Sequence, residues 1–498
     1  MGAGDQFAAP AIDRGQGQPK HRDDEPGPAA GERRHQGKGE PTAVALRRLA
    51  TAAPLRVHPT HRPSTLARLR QLGRVAVSSS AIPATTPLLL AAGQGLLWRR
   101  SNFAQEGSAM TAPQAHRPTI AVTRHAISAG HYLAATAGFA ILEAGGNAID
   151  AGCAAGIALG VLQSDLVDVA GVAPIMIYDA ASREVITIAG LGPWPKALDP
   201  ELFMREHGGR IPKGVIRTVV PAAPDAWITA LRRYGTMSFG EVAAAAIRLA
   251  GDGFPMYPLM ALSLKRHAAD HRAWPSSAAI FLPDGRVPEA GDVFRQTDLA
   301  GSLQYMADEE RAAAGRGREA GLEAARDAFY RGDIARKIVA FMKEEGGLLS
   351  AEDLAEYRSP IVRPERRRFG DLEVFTCGAW CQGPVLLQTL ALLEGTDLAS
   401  LGHNSADYVH RLTEALKLAF ADREAYYGDP ALVEVPLATL ISEEYAAERR
   451  KLIRPERAWP EMPPPGKLGG ETGRSTGGFA RAFGEPNPEP DTSYVCVA

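Results

Sequence analysis

The stretch Asp491-Thr492-Ser493-Tyr494-Val495-Cys496-Val497-Ala498 stands at the end of the sequence. Its β-branched, aromatic and hydroxyl-bearing residues are typical of a short β-strand. If the chain is cut before Thr492, the new α-amine lies within reach of the threonine hydroxyl and can act as its base. An α-amine has an unperturbed pKa of about 7.7 to 8, which suits that role. An ordinary strand without catalytic residues explains the same octapeptide, so the rest of the sequence decides between the two interpretations.

Length and charge set broad limits on that interpretation. A chain of 498 residues is long enough for two or more domains, or for one large layered domain with extensions. The formal net charge is -2 and 45% of the residues are hydrophobic. No bulk electrostatic field therefore favours nucleic acid or an anionic membrane, and we expect neither as a partner.

The four cysteines are scattered at Cys153, Cys377, Cys381 and Cys496. Only Cys377 and Cys381 are close in sequence, and no second pair or neighbouring histidine completes a usual metal-ligand spacing. We therefore expect structural cysteines and no metal site.

Residues 1–109 differ in composition from the remainder, since Arg, Pro, Gly, Gln and His dominate and basic residues outnumber acidic ones. This leader is predicted to be disordered. Its apolar run, Pro87–Trp98, is shorter than the roughly 20 residues of a membrane helix and lies far from the position of a secretory signal. A transit peptide is one interpretation; we prefer the other, in which Met110 is the true start. Because no signal peptide is evident, we expect a cytoplasmic location.

The remainder predicts helices, one hairpin and a final strand. The predicted elements are a helix from an N-cap at Ser128 to Glu143 ended by Gly145-Gly146, a small-residue helix from Asn147 to Val161, a hairpin of 173–178 and 184–189, a helix from Val242 to Ala250 ended by Gly251 behind a Ser238–Glu241 capping box, and long helices to about residue 425. This order indicates an α+β class with layers rather than alternating βαβ units.

Residues 459–491 are rich in Pro and Gly, including Pro463-Pro464-Pro465. They are predicted to be a loose linker between a main domain at 110–458 and the strand at 492–498. Such a tether lets a cut end move away. An ordinary surface linker before an edge strand is the alternative.

Several sequence blocks follow one another between residues 120 and 498. They are Ile141–Ala151, Ala279–Phe281 with Gly291, Asp292 and Gln296, Phe329–Ala335, Gly346–Leu348 with Glu352–Leu354, and Ala419–Arg423 with Tyr426 and Gly428–Pro430. In this order they resemble the γ-glutamyltransferase (γ-glutamyltranspeptidase) family of N-terminal-nucleophile hydrolases. The resemblance implies an αββα layered sandwich and no cofactor or metal.

The resemblance also implies a precursor that cuts itself into a large and a small subunit. Thr492 falls at the nucleophile and Asp491 at the end of the large subunit, so 492–498 begins the small subunit. The implied substrate is a small-molecule amide, such as a glutathione-like γ-glutamyl compound, whose acyl group passes to water or an amine. Many members of the family are periplasmic, which is the alternative location.

This sequence departs from the family pattern in its substrate-binding residues. Leu191 stands where the family has an arginine that binds the donor α-carboxylate, and a leucine cannot pair a carboxylate. Lys196 or Arg217 could supply another cation. The family's glycine-rich run is replaced by Asp168–Pro174, and its Pro-Pro-Ser-Ser-Gly-Gly-like stretch by Ala379–Pro384. The substrate-binding residues are therefore unknown from sequence.

Only a short stretch follows the predicted cut. From Thr492 to Ala498 an extended strand spans roughly 20 Å. We therefore expect the small-subunit strands to be missing, the sandwich to be incomplete, and the chain to stay uncut with an unpaired sheet edge. The alternative function is a non-catalytic large-subunit fragment that needs a separate small subunit.

Asp422 and Arg423 lie near the end of a predicted long helix. They could form a structural ion pair or contact the substrate. We favour the structural role, because charged residues are common at helix ends.

The change in composition near Met110 yields a first prediction. Removing residues 1–109 should leave the solubility of the protein unchanged, because no family block lies in them. Size-exclusion chromatography of the two forms tests this. Aggregation of the shorter form alone would show that the leader is structural.

Overall fold

A computed structural model describes residues 120–199, 201–468, 471–472 and 492–498. The predicted leader at 1–109 lies outside the described residues, as do positions 473–491 of the predicted linker, including Asp491. The disorder and tether predictions for those stretches stay predictions.

Helices make up most of the described chain. They are α1 (Tyr132–Glu143), α2 (Ala148–Leu162), α3 (Glu201–His207), α4 (Ala223–Tyr234), α5 (Phe239–Asp252), α6 (Pro258–Arg266), α7 (Ala268–Arg272), α8 (Pro275–Phe281), α9 (Thr297–Ala313), α10 (Arg318–Tyr330), α11 (Asp333–Glu344), α12 (Ala351–Glu356), α13 (Gly383–Leu393), α14 (Ala406–Tyr426), α15 (Leu437–Leu440) and α16 (Glu443–Arg450).

The strands are short and pair antiparallel. They are β1 (Ile127–Ala129), β2 (Ile175–Asp179), β3 (Glu184–Ile188), β4 (Phe254–Pro255), β5 (Val293–Phe294), β6 (Ile361–Val362), β7 (Glu365–Phe369), β8 (Leu372–Thr376), β9 (Lys467–Leu468), β10 (Glu471–Thr472) and β11 (Val495–Val497). β2, β3 and β6 form one sheet, and the others pair as β1 with β11, β4 with β5, β7 with β8 and β9 with β10. The protein is a mixed helix and sheet structure; the αββα layering stays a prediction.

Helix α2 lies at the centre of the larger hydrophobic core. Asn147 caps its start through a capping box, as the sequence predicts. A Cβ placed on Gly156 would lie 2.9 Å from the Trp227 indole nitrogen, and one on Gly160 would lie 2.9 Å from the Val169 backbone nitrogen. These glycines therefore allow α4 and the segment after α2 to approach the helix closely.

The predicted N-cap of α1 is wrong. The helix begins at Tyr132 and its N-cap is His131, whose Nδ1 accepts a hydrogen bond from the Leu133 amide at 3.2 Å. Ser128 instead lies in strand β1, opposite Cys496. Pairing with a strand distant in sequence holds this backbone extended, and local capping signals do not report such a contact.

The other local predictions hold with small shifts of boundary. The hairpin is formed by β2 and β3, and Ser238 caps α5 through a capping box. α5 continues through Gly251 to Asp252, and the residue that ends it is Gly253, whose φ is 93°. A glycine adopts this left-handed backbone without steric cost.

A second, smaller core lies between α13 and α14. Asp422 is fully buried there and pairs with Arg449 at 3.0 Å, while the Gln388 side chain donates to its other oxygen at 2.5 Å. Asp422 is therefore structural, as expected, although its partner is Arg449 rather than the adjacent Arg423. Burial is the main cause that raises the pKa of Asp422.

The first part of the predicted linker packs against this second core. The Trp459 amide donates to Glu414 at 3.0 Å, and the Gly466 amide donates to Asp422 at 2.7 Å. The short β9–β10 pair follows. The tether description therefore does not apply to residues 459–468.

A buried ion pair joins α4 to α10. Asp225 and Arg326 are 1% and 2% exposed, and the Arg326 guanidinium donates to both Asp225 and the Tyr357 carbonyl. The Ser359 amide donates to Asp225 at 2.6 Å, and the guanidinium stacks over the Tyr330 ring at 4.5 Å. This network fixes the chain at 357–359 against the helices.

Arg326→Met should lower the free energy of unfolding by about 3 to 5 kcal/mol, because it leaves the buried Asp225 carboxylate without its cation. Arg336→Met on α11 is the matched control, since Arg336 pairs with Asp333 at the exposed surface. Its cost should stay below about 1 kcal/mol. Urea unfolding measures both, and equal costs would contradict the role given to the buried pair.

Candidate functional site

Strand β11, which follows Thr492, is paired along its length with β1. Its partners are Val497 with Ile127, Cys496 with Ser128 and Val495 with Ala129. The ladder extends at both ends, because Ala126 and Ala498 exchange backbone hydrogen bonds at 2.8 and 3.0 Å and the Gly130 amide donates to the Tyr494 carbonyl at 3.1 Å. The chain next to Thr492 is therefore anchored on both sides of β11.

A side-chain contact fixes the residue after Thr492. The Ser493 hydroxyl donates to Gln163 Oε1 at 2.6 Å. The side-chain nitrogen of Gln163, Nε2, donates to the Gly130 carbonyl at 3.4 Å. Gln163 is 5% exposed and is the C-cap of α2. We call Gly130, Gln163 and Ser493 the strand clamp. It connects the Thr492 segment directly to the central helix.

Gly130 has a steric role in the clamp. A Cβ at this position would lie 2.1 Å from the Ser493 hydroxyl oxygen and 2.7 Å from Gln163 Oε1. Both distances are shorter than any real contact of a Cβ atom, so only glycine fits without displacing the hydrogen bond.

Polar side chains with unpaired buried atoms surround the clamp. Asp165 accepts the Tyr257 hydroxyl at 2.6 Å through one oxygen, and the ring of Tyr257 lies edge-on to His131, with centroids 5.5 Å apart. Within the described chain, His131 Nε2, Ser164 Oγ and the second Asp165 oxygen are buried without a hydrogen-bond partner. Buried polar groups are normally satisfied, so this cluster has unused capacity to bind.

Burial decides the protonation of two members of the cluster. It lowers the pKa of His131, which favours the neutral imidazole. Burial also raises the pKa of the Asp165 carboxyl. The hydrogen bond from Tyr257 lowers that pKa, but the effect of burial is larger. Near neutral pH the cluster therefore offers a neutral histidine and a carboxyl group that is protonated more readily than usual.

A cavity of about 1060 Å³ lies between the loop at 189–196, the segment at 353–362, the loop before α13 and the end of α14. Its apolar and aromatic walls include Leu191, Trp194, Trp380 and Tyr427. Thr492 is not among the described residues that line it. The two regions are joined through the segment after Gln163.

The segment after Gln163 includes Asp168–Pro174, the residues that stand where the family has a glycine-rich run. The Gly171 carbonyl accepts from the amides of Ala222 and Ala223, both at 2.9 Å, and the Ala173 amide donates to Gly190 at 2.9 Å. Gly190 immediately precedes Leu191. The same segment therefore begins at the strand clamp and ends at the cavity wall.

Each basic side chain in the described cavity wall has an acidic partner. The pairs are Lys196 with Glu352 and Glu356 at 2.7 and 2.6 Å, Arg358 with Glu323 at 2.5 Å, and Arg423 with Glu424 at 3.1 Å. Hydrogen bonds from Lys196 to its two carboxylates raise the pKa of the ammonium group. Lys196 thus already pairs with two carboxylates of its own chain.

Of the site residues predicted from the sequence, Thr492 lies beside the strand clamp, and Leu191 and Lys196 lie in the cavity wall. Thr492 is exposed and leads into β11, while Asp491 lies outside the described residues. Leu191 lines the cavity and is 39% exposed. Arg217 is absent from the described cavity wall.

The comparisons with known proteins decide the family. The gamma-glutamyltranspeptidase sequence profile matches residues 134–498. The chain belongs to the gamma-glutamyltranspeptidase family. It is 36% identical over 367 residues to the Acylase ACY 1 proenzyme of Pseudomonas sp. (strain SE83), which covers 71% of this chain and 62% of that protein.

Two further relatives agree with this placement. A glutathione hydrolase-like YwrD proenzyme of Bacillus subtilis is 30% identical, over 66% of this chain and 59% of its own. The crystal structure of the Helicobacter pylori gamma-glutamyltranspeptidase superposes with a TM-score of 0.64 at 28% identity, covering 70% of this chain and 97% of that chain. The chain thus spans less than two thirds of the two curated relatives, and its fold is that of the family.

No group of three or more His, Cys, Asp and Glu side chains in the described residues could hold a metal ion. None of the helices described is both long and apolar enough to cross a membrane.

Sequence reasoning missed Gln163, His131 and Tyr257. Ser493 and Gln163 are 330 positions apart, so no local pattern relates them. A signal that could have been used is the sequence Gln163-Ser164-Asp165, three polar residues directly after an apolar helix.

Gly130→Ala should loosen β11, because the added methyl group displaces the Ser493 hydroxyl. Amide hydrogen exchange at Cys496 and Ala498, whose N–H groups face β1 in the antiparallel ladder, should become at least about tenfold faster, which corresponds to about 1.4 kcal/mol. Gly152→Ala is the matched control, since its Cβ would lie 3.8 Å from Val497 on the same strand.

The double variant Gly130→Ala with Ser493→Ala should recover part of the protection, because the clashing hydroxyl is gone. Equal exchange in Gly130→Ala and Gly152→Ala would contradict the clamp.

Proposed function

We propose that this chain belongs to a self-processing threonine amidohydrolase or acyltransferase, with Thr492 as its nucleophile. The observation that carries the proposal is the strand clamp, which anchors the residue after Thr492 to the buried end of α2. A nucleophile must be held in a fixed position, and the clamp and the β1–β11 ladder supply that constraint. The two curated relatives described above are both named proenzymes, which supports processing.

Processing uses the Thr492 hydroxyl and the Asp491 carbonyl. The hydroxyl attacks the carbonyl carbon, the Asp491–Thr492 carbon–nitrogen bond breaks, and an ester forms. Water hydrolyses the ester and leaves Thr492 with a free α-amine. The α-amine then takes the hydroxyl proton as the oxygen attacks the substrate amide, and that proton goes to the leaving amine. Water or another amine releases the acyl group.

The cavity supports an acyl group without an α-carboxylate. Leu191, Trp194, Trp380 and Tyr427 offer apolar contacts, and the basic side chains in the described wall are already paired with acids. Burying an unpaired carboxylate among them would cost several kcal/mol. The similarity to an acylase agrees with this preference, whereas the similarity to a glutathione hydrolase-like protein keeps γ-glutamyl amides as the alternative substrate.

The proposal includes a layered αββα sandwich and a small subunit that begins at Thr492. The main domain at 110–458 would then be the large-subunit part, with the linker ending at Asp491. Both curated relatives are longer than the matched region, which supports further sequence as a partner of this chain.

The test of the nucleophile is the mass of the processed product. The chain is produced alone and together with the C-terminal segment of the acylase relative. The chain alone should stay uncut. With the C-terminal segment supplied, cleavage should generate a new N-terminus at Thr492, Thr492→Ser should retain slower cleavage, and Thr492→Ala should show none. Cleavage at the same bond in Thr492→Ala would contradict the proposal.

The substrate preference is tested with two anilides that differ only in one group. γ-Glutamyl p-nitroanilide carries the α-carboxylate and 4-aminobutyryl p-nitroanilide lacks it. The processed protein should hydrolyse the second with a kcat/KM at least about tenfold higher, equivalent to about 1.4 kcal/mol. Leu191→Arg should shift the preference toward the γ-glutamyl compound, and Leu191→Met is the control. A γ-glutamyl preference in the unaltered protein would contradict this part of the proposal alone.

A further inference from the structure

Two free cysteines lie in the loop between β8 and α13, beside the cavity. Cys377 follows the end of β8 and Cys381 lies two residues before α13. Both are half-buried, and Cys381 is part of the cavity wall together with Trp380. Cys153, in contrast, is buried in the core, and Cys496 is exposed on β11.

The backbone of the loop brings the two cysteines together. The Cys381 amide donates to the Gly378 carbonyl at 3.1 Å, which closes a tight turn. A Cβ on Gly383 would lie 2.4 Å from the Cys377 carbonyl oxygen, so the absence of a side chain there lets the start of α13 contact Cys377. Gly383 therefore lies against the backbone of Cys377 and donates its amide to Cys381, so the two cysteines meet at the start of α13.

Cys381 also receives a hydrogen bond from the start of α13. The Gly383 amide donates to its sulfur at 3.4 Å. The partial positive charge of a helix N-terminus favours a thiolate at this position. The hydrogen bond from Cys377 is the largest cause that lowers the pKa of Cys381 to about 7, and the same contact raises the pKa of Cys377.

We propose that Cys377 and Cys381 form a reversible thiol–disulfide modification site in the cavity wall, with Cys381 as the attacking thiolate and a peroxide as the oxidant. The turn closed at Gly378 and the shared contact with Gly383 bring the two cysteines together, and the cavity gives a small oxidant access to Cys381. This site is separate from Thr492 and does not depend on the proposed amidohydrolase activity.

The reaction balances in two steps. The Cys381 thiolate attacks one oxygen of hydrogen peroxide, the oxygen–oxygen bond breaks, and a sulfenic acid and hydroxide form. The sulfur of Cys377 then attacks the Cys381 sulfur, a disulfide bond forms, and the hydroxyl leaves as water with the Cys377 proton. The cysteine pair loses two electrons in total, and the peroxide gains them. Loss of the Cys381 thiolate in the first step removes the charge that disfavours ionisation of Cys377.

The disulfide would act on the cavity through the residues that the two cysteines flank. Trp380 lies between them in sequence, and Gln382 accepts a hydrogen bond from Arg423 at 2.6 Å. Both side chains line the cavity. Oxidation would therefore change the shape of the wall without altering Thr492 or the strand clamp.

The first measurement is the rate of alkylation of each cysteine in the full-length protein. A short pulse of iodoacetamide is applied between pH 6 and pH 9, and mass spectrometry quantifies each site. The alkylation rate of Cys381 should reach half its maximum near pH 7, against about pH 8.5 for an ordinary thiol. At pH 7 Cys381 should react about threefold faster than an ordinary free thiol with a pKa of about 8.5, because its larger thiolate fraction outweighs the lower intrinsic nucleophilicity of a less basic thiolate.

Two variants separate the hydrogen bond from the disulfide. Cys377→Ala removes the donor, so the Cys381 midpoint should rise toward the ordinary value. Cys377→Ser keeps a hydroxyl donor, so the midpoint should stay nearer pH 7 although no disulfide can form. A Cys381 midpoint at about pH 8.5, as for an ordinary thiol, in the unaltered protein would overturn the proposal.

The second measurement is the product of oxidation, made in the Cys496→Ser background to prevent cross-links between copies. Stoichiometric hydrogen peroxide should give a peptide pair joined through Cys377 and Cys381, lighter by two hydrogen atoms, and dithiothreitol should reverse it. Cys381→Ser and Cys377→Ser should both abolish this product. Oxidation of Cys381 to sulfinic acid without a cross-link would overturn the proposal, as would no reaction at either cysteine.

Discussion

The burial of most of helix α2 is the constraint on which the described structure depends. Its small side chains let α1, α4, α5 and β11 approach it from several directions, and its C-cap, Gln163, holds the chain beside Thr492. A larger residue at Gly156 or Gly160 would push these neighbours apart, because close-packed interiors cannot absorb added volume cheaply. The position of the candidate nucleophile therefore depends on the packing of a helix that carries no catalytic group.

Buried charges fix the other candidate region. The Asp225–Arg326 pair holds the chain that supplies Tyr357 and the adjoining cavity wall, and Asp422 does the same at the end of α14. Such pairs give little net stability relative to apolar residues, because both charges lose their hydration. Their value here is geometric, since each one joins segments distant in sequence in a single arrangement.

Sequence reasoning reached the family and much of the local structure because these depend on neighbouring residues. The caps at Asn147 and Ser238, the β2–β3 hairpin and the strand after Thr492 all follow from short patterns. Ser128 was misassigned because its strand partner, Cys496, is far away in the sequence. The contact of Gln163 with Ser493 and the contacts of Cys377 and Cys381 with Gly383 require tertiary packing, so no spacing rule predicts them.

The pairing of β1 with β11 has a consequence for how the protein folds. It joins residues 127–129 to residues 495–497, so a loop of most of the described chain must close before the ladder can form. Closing so long a loop costs chain entropy before the ladder can contribute any stabilising interaction. Contacts of such high sequence separation therefore form slowly. We infer that the Thr492 segment docks late, after the helices have assembled. The residue after Thr492 is fixed only once β11 has docked, so, with Thr492 as the proposed nucleophile, cleavage of the bond before it would wait until the helices have assembled and would need no separate inhibitor.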